Sequence, residues 1–543
     1  SAGDRLLGVM EAVFRKQTQP ILLILEDMHW GQESIELLRR LSTRISAHPI
    51  MLIASYRDDE RPSLPREVPN ATPLKLERLN QDAIAALSES MLGEAGRDPA
   101  LIGLLQRETE GNTFFMVEVV RALAEEAGQL DNIAHISLPR HIFAGGVWTM
   151  VERRLSRVPD SALPLLKLAA VLGRQLNLSV LGASLKTPPS LQGLVLDSWL
   201  NACTAASILE IQDERWRFAH DKLREGVLVA LSPADSAALH REAALATESV
   251  NPDVTTVAPQ LAHLWEQAGD DSKTHQYCLL AAQQANENGA FMDALGFLST
   301  ARRVEVNLDA STLEKVQVRG MQFRAIHALG NLKGGLEYAY EMYDAAGMPI
   351  PQSRLGIGWG IVKSGIRHVL GATPSQPLDV LKAVTSVGYL STEGLFLTQR
   401  LGQAVVTILR AQGIARKFGK SPESAVIYSA GSMTGAVLAM HWLGDYFRKK
   451  VRAIQTQVNV PPAMIHVEHS LGIKYFSEGQ PDEAFEALVR GQAQAQSIGD
   501  VRNAALVEGI HMLMQLCYGR YETSMEMATH HLEYATEHHL WGN

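Results

Sequence analysis

Five apolar residues in a row, Ile21 to Leu25, run straight into Glu26 and Asp27, with His29 and Trp30 close behind. An uninterrupted apolar run of that length predicts a strand buried on both faces, as in a parallel sheet. A second run at 50–55 predicts another such strand. Between them Leu37, Leu38, Leu41 and Ile45 recur at helical spacing over 34–47, and Pro49 marks the stop. A helix is expected over 5–16 and a short alternating strand over 73–79. Alternation of strand and helix argues a parallel α/β sheet.

From residue 80 the period becomes helical. Asn80 reads as the N-cap of a helix over 82–91, Gly111 and Asn112 punctuate, and another helix is expected over 114–127. Residues 138–232 mix helices with a strand pair, 207–211 and 215–218, around the turn-like Gln212-Asp213-Glu214. Helices followed by a small hairpin suggest a winged-helix subdomain. Beyond 233 only helices are predicted. Glycines 289, 330, 444, 479 and 519 each stand between helix signals, separated by 41 (289 to 330), 35 (444 to 479) and 40 (479 to 519). Helix-pair repeats of about 34–45 residues have this look, so tetratricopeptide-like repeats are expected. One mildly basic amphipathic stretch, 349–373, interrupts them with Arg354, Lys363 and Arg367. A packed insert is the expected reading, contact with a membrane or partner helix the alternative.

Composition narrows the classes. At 543 residues several domains are expected. Low aromatic content, 6%, with abundant Ala, Leu, Glu and Gln favours helices. A net charge of −9 argues against wholesale nucleic-acid binding. Cys203, Cys278 and Cys517 form neither a metal pattern nor a disulfide framework, which fits a reducing cytoplasm and buried bystander thiols. No window offers ~18 uncharged apolar residues, so no membrane span is expected. The first residue is Ser1, no GxxxxGK[ST] phosphate loop occurs, and the last residues are HHLWGN, so a fragment of a longer protein is expected. His240, His263, His530, His531, His538 and His539 lack supporting Cys or carboxylate ligands and read as helix histidines.

The acid pair carries the candidate chemistry. Carboxylates at the carboxyl end of a parallel strand sit where open α/β sheets bind ligands. Such a pair can hold Mg²⁺ and orient water in a nucleotide-hydrolysing domain, a Walker B arrangement.

Several motifs then follow in fixed order: ILLILEDMHW, LIASYRDDE, EGNTFFMVEVVRAL, LPRHIFAGGVWTMVERRLSRVP, LKLAAVLGRQL and WRFAHDKLREGVL. Over residues 1 to 245 this order resembles the STAND class of signal-transduction ATPases. More narrowly, it resembles bacterial AAA-type modules fused to Ser/Thr protein kinases, nucleotide cyclases or LuxR-type regulators. The resemblance implies α/β followed by all-α. Residues 1–79 would be the C-terminal half of a P-loop ATPase core and 80–135 a helical lid. Residues 136–232 would be a winged helix, and 233–543 an α-solenoid of tetratricopeptide-like repeats. It implies ATP or ADP with Mg²⁺ as cofactors, with Glu26 and Asp27 serving the metal and the attacking water. Arg57 would sense the γ-phosphate and His220, beside Asp221, would hold ADP in a closed state. Asn112 stands in a motif that contacts nucleotide, although Thr113 replaces the family's usual Pro. A protein or small-molecule signal would act through the repeats and a fused output domain would respond, with homo-oligomerisation on ATP as an option. One alternative is a non-catalytic scaffold with a degenerate ATPase core. Another is a transcriptional regulator, for which Arg140, Arg153, Arg154 and Arg157 could face DNA, although in this class those arginines more often decorate a helix face.

Overall fold

In a computed structural model of the chain, the residues described are 19–26, 28, 35, 38–39, 41–43, 49–58, 61–113, 116–117, 119–120, 146–185, 194–212, 214–455 and 460–537. The molecule is mostly helical. It divides into two compact units, one of Ser1–Asn70 with His275–Asn543 and one of Ala71–Thr274.

In the first unit, β1 (Ile21–Leu25) pairs in parallel with β2 (Ile50–Ala54), Ile21 opposite Ile50 and Leu25 opposite Ala54. A parallel pair needs a crossover, and Ile35, Leu38 and Leu41 on it are buried. Met28, Ile35 and Leu38 form a core with Leu64 and Val68, the former on the short helix α1 (Leu64–Glu67), and Leu25, Leu52, Ala54 and Tyr56 pack against it. The expectation of strands covered on both faces is corrected here. Leu22, Ile24, Met51 and Ile53 point to the opposite side and are 44–63% exposed. The described residues supply one covering layer, whereas an all-apolar strand needs two.

The second unit begins with an exposed stretch, 71–78, in place of the strand predicted at 73–79. Leu74 and Leu76 have no covering face, and alternation stabilises a strand only when one side is buried. Helix α2 (Gln81–Leu92) starts as predicted, with the Asn80 side chain accepting from the Ala83 N–H at 2.9 Å. Helix α3 (Pro99–Thr109) has Asp98 as cap and Pro at its first turn. The two share a core with Met116, Val119 and Val120.

Farther along lie α4 (Gly146–Leu155), α5 (Leu163–Leu172), α6 (Leu178–Ser184) and α7 (Leu196–Ala205). The hairpin predicted near 206–219 is present as antiparallel β3 (Leu209–Gln212) and β4 (Arg215–Phe218). Then come α8 (Asp221–Val229), α9 (Pro233–Val250) and α10 (Ala258–Gln267). Leu165, Leu166 and Leu168 of α5 are fully buried, and the Trp199 indole donates to the Ala162 carbonyl at 3.0 Å. Arg154 is buried too and donates to the Ser207 carbonyl at 3.0 Å, so it braces the hairpin rather than decorating a helix face.

The remaining helices are α11 (Asp271–Asn288), α12 (Phe291–Glu305), α13 (Thr312–Ala328), α14 (Leu332–Ala345), α15 (Arg354–Val369), α16 (Leu378–Leu397) and α17 (Leu401–Phe418). After them come α18 (Pro422–Val437), α19 (His441–Gln455), α20 (Pro461–Ser477), α21 (Pro481–Ser497), α22 (Val501–Cys517) and α23 (Tyr521–Glu537). The last four begin at 461, 481, 501 and 521, a two-helix period of 40 residues. Gly479, Gly499 and Gly519 sit between them at φ of 72°, 68° and 73°, where a side chain would be strained. Gly444 departs from expectation, since it lies inside α19. The turn before that helix uses Ala439 at φ 55°. A Cβ on Gly435 would lie 2.5 Å from the Gly444 nitrogen, so these glycines let α18 and α19 touch backbone to backbone.

Candidate functional site

The parallel register places Glu26 and Arg57 beyond the same, carboxyl, end of adjacent strands. Two backbone bonds hold the exits together: the Ser55 N–H donates to Leu25 and the Met28 N–H to Ser55, each at 2.9 Å. Glu26 is exposed and Arg57 half-buried. The chain turns directly after Arg57, with the Arg61 N–H donating to its carbonyl at 3.0 Å. Arg61 then pairs with Glu67 at 2.8 Å, and the Ser63 hydroxyl donates to the same carboxylate at 2.6 Å. The Ser63 bond, then Arg61, holds the Glu67 carboxyl below its ordinary range. Asp27, His29 and Trp30 lie outside the described residues.

An exposed carboxylate and a guanidinium at one strand end match part of what Mg²⁺ and a triphosphate need: a hard oxygen donor for the cation and a planar fork for phosphate oxygens. No glycine-rich phosphate loop accompanies them in the sequence. The fit is therefore to one side of such a ligand.

His220 and Asn112 belong to the other unit. His220 is itself the N-cap of α8, its Nδ1 accepting from the Lys222 N–H at 3.1 Å. That bond puts the ring proton on Nε2 when the imidazole is neutral. Asp221 pairs with Arg174 at 3.2 Å. Asn112 follows Gly111 and opens the next helix, with the Met116 N–H donating to its carbonyl at 3.0 Å. Gly111 has φ 76°, and a Cβ there would lie 2.2 Å from the Leu79 carbonyl oxygen. The Gly-Asn turn is thus clamped to the segment before α2, and the Leu79 N–H donates to the Gly111 carbonyl at 2.8 Å.

A cavity of about 40 Å³, invisible to local sequence patterns, lies within the helical array, lined by Tyr343, Val384, Tyr389, Ile408, Arg410 and Ile427 among others. Its lining comes from α14, α16, α17 and α18, helices no local pattern connects. Arg410 donates from Nη1 to the carbonyls of Pro349 at 2.6 Å and Met348 at 3.1 Å.

Two of the late histidines, His530 and His531, share a carboxylate partner that the sequence did not suggest. Glu508, 4% exposed, receives His530 at 2.8 Å and His531 at 3.1 Å. Among the described residues no group of His, Cys, Asp and Glu could hold a metal ion. His538 and His539 lie outside them. Burial pushes the Cys203 thiol up to about 12, in keeping with an inert role, and Cys278 is buried too; Cys517, by contrast, is exposed.

No family model and no curated protein matches this sequence. Among solved structures, a STAND signal-transduction ATPase with a tetratricopeptide-repeat sensor, from Pyrococcus horikoshii, is similar to this chain. Identity is 14% over 96% of this chain and 82% of that one, with a TM-score of 0.34. A likeness that loose assigns no residue a role.

Proposed function

We propose that this chain is the regulatory module of an ATP-dependent signalling switch. The observation that carries the proposal is the placement of Glu26 and Arg57 at one end of a parallel strand pair, where open α/β sheets bind ligands. In this reading the Glu26 and Asp27 carboxylates serve Mg²⁺ and the attacking water, and Arg57 answers to the terminal phosphate. Bound Mg²⁺·ATP would supply the transferable phosphoryl group and the charge that Arg57 recognises. The bare face of β1 and β2 supports the idea that further sheet and a phosphate loop come from polypeptide beyond residues 1–543. The roles of His220 and Asn112 as nucleotide contacts, like the lid at 80–135 and the winged helix at 136–232, are supported by motif order alone. A donor at His220 Nε2 is compatible with phosphate contact. The repeats at 233–543 would receive the protein or small-molecule signal, and a domain outside these residues, a Ser/Thr kinase as first choice, would give the output.

A second reading is favoured by one observation. The 40-residue period of the last helices builds a regular array, whereas the described sheet of the first unit has two strands. A non-catalytic helical-repeat scaffold would look the same.

Titration with a fluorescent ATP analogue separates the two. Residues 1–543 should bind weakly, and the chain extended upstream should bind at least about tenfold more tightly in the presence of Mg²⁺. In the extended chain Asp27→Asn should slow hydrolysis while keeping binding. Equally weak binding by both chains would overturn the switch in favour of the scaffold, and tight binding by residues 1–543 would overturn the need for an external phosphate loop.

A further inference from the structure

Helix α15 is packed on one side and bare on the other. Toward α17 it presents small residues: a Cβ on Gly360 would lie 3.2 Å from Val406 Cγ2, and one on Gly402 would lie 2.7 Å from Ile357 Cγ2. Gly360 and Ser364 are buried there. That close fit fixes the rotation of the helix. On the opposite side Leu355, Trp359, Val362, Ile366 and Val369 fall at spacings of three and four residues, all 51–89% exposed. Leu370, just past the helix end, extends the stripe. It runs about 22 Å at 1.5 Å per residue. Soluble surfaces rarely carry so continuous an apolar stripe without something to cover it.

Charge identifies what fits. Lys363 and Arg367 flank one edge of the stripe and Arg354 the other, and α15 contains no acidic residue. Across residues 354–420 there are nine Lys and Arg against only Asp379 and Glu393, in a chain of net charge −9. The basic apolar face continues onto α19. The His368 ring lies 6.0 Å from Tyr446, Trp442 is 70% exposed, and Lys450 stands 5.2 Å over the Tyr446 ring. A second copy meeting it through the same face would set these cations against one another. An anionic bilayer satisfies both features, taking the apolar stripe into the acyl boundary and the cations into the headgroups. No described helix is long and apolar enough to cross a membrane, so the contact is along the surface.

We infer that α15, with the start of α19, is a docking face for anionic lipid membranes. The inference is independent of the nucleotide reading. It places the helical array against a bilayer through Trp359 and Ile366, steered by Lys363 and Arg367.

Flotation of the full chain with vesicles tests it. Vesicles of equimolar phosphatidylcholine and phosphatidylglycerol should carry the protein up the gradient, and pure phosphatidylcholine should carry far less. Added salt should release it. The pairs Trp359→Glu with Ile366→Glu, and Lys363→Glu with Arg367→Glu, should each weaken binding about tenfold or more. All four positions are exposed, so unchanged thermal melting will show that the variants fold. Absence of flotation with phosphatidylglycerol, equal flotation of the variants, or equal binding to both vesicle types would overturn the proposal. So would a dimer of the wild-type chain that Trp359→Glu with Ile366→Glu converts to monomer, since the face would then belong to a second copy.

Discussion

The Tyr389 hydroxyl lies 2.8 Å from Nδ1 of His469, joining α16 to α20 across eighty residues of sequence. The ring of His466 lies 4.2 Å from that of the same tyrosine, tilted by 43°. Burial, reinforced by the positive charge His466 can carry, pushes His469 down to about 4. The imidazole is therefore neutral in the folded state near pH 7.

That depression has a consequence for stability. In the unfolded chain His469 takes up a proton near pH 6.5, and in the folded chain only near pH 4. Stability is unaffected above pH 6.5 and falls as pH drops from there toward 4, by on the order of 3 kcal/mol. Urea unfolding at several pH values should show the slope, and His469→Gln should flatten part of it. His240, His368 and His511 are also lowered by burial and add in the same direction. An unchanged slope in the variant would remove His469 from the effect.

Two glycines with positive φ should behave differently. Gly93 has φ 62° with open space where a Cβ would go, whereas Gly111 has φ 76° and a carbonyl oxygen 2.2 Å away. Gly93→Ala should cost about 1–2 kcal/mol from backbone strain alone. Gly111→Ala adds a clash with main chain that cannot swing aside, and should cost about 3 kcal/mol or more. Thermal melts of the two variants settle the difference; similar costs would mean that the Gly111 turn can move away from Leu79.

Gly435 makes a related case without strained angles. A methyl there would meet the Gly444 backbone at 2.5–2.8 Å. Gly435→Ala should separate α18 from α19 and lower stability by about 2–4 kcal/mol, although alanine favours helix. A neutral or raised melting temperature would contradict the close approach.

Gly388 faces the cavity, and a Cβ there would lie 3.7 Å from the Tyr343 hydroxyl, an ordinary contact. Gly388→Ala gains helix propensity and fills space, so it should raise stability by about 0.5–1 kcal/mol. A loss of stability would show that the cavity is occupied or narrower than it looks.

Arg57 is the residue whose nucleotide role is easiest to isolate. In the upstream-extended chain, Arg57→Ala should reduce the preference for ATP over ADP by about tenfold, with ADP affinity little changed. Equal losses for both nucleotides would give Arg57 a merely structural role.

The strands β1 and β2 were legible because apolar, β-branched runs bounded by Pro and acids have few other homes. The caps at Asn80 and the hairpin around Glu214 were legible because their chemistry is local. Residues 73–79 misled because Leu74 and Leu76 alternate with Lys75 and Glu77, a pattern an exposed extended segment satisfies equally. Gly444 misled because glycine marks a turn and a close helix contact alike. Of the candidate site, Glu26 and Arg57 could be placed together from strand order alone. The cavity and the Tyr389–His469 pair could not, because their partners meet only after helices distant in sequence have stacked.

The even 20-residue stepping of the last four helices also sets how this end of the molecule comes apart. Each helix leans on its neighbours, and Phe485 and Leu488 of α21 are covered in part by Ala504 and Val507 of α22. Such a stack has no central keystone; each helix is held chiefly by the helices before and after it. A partner that bridges several of these helices would therefore act by simply holding neighbours shut, and would slow amide exchange in all of them together.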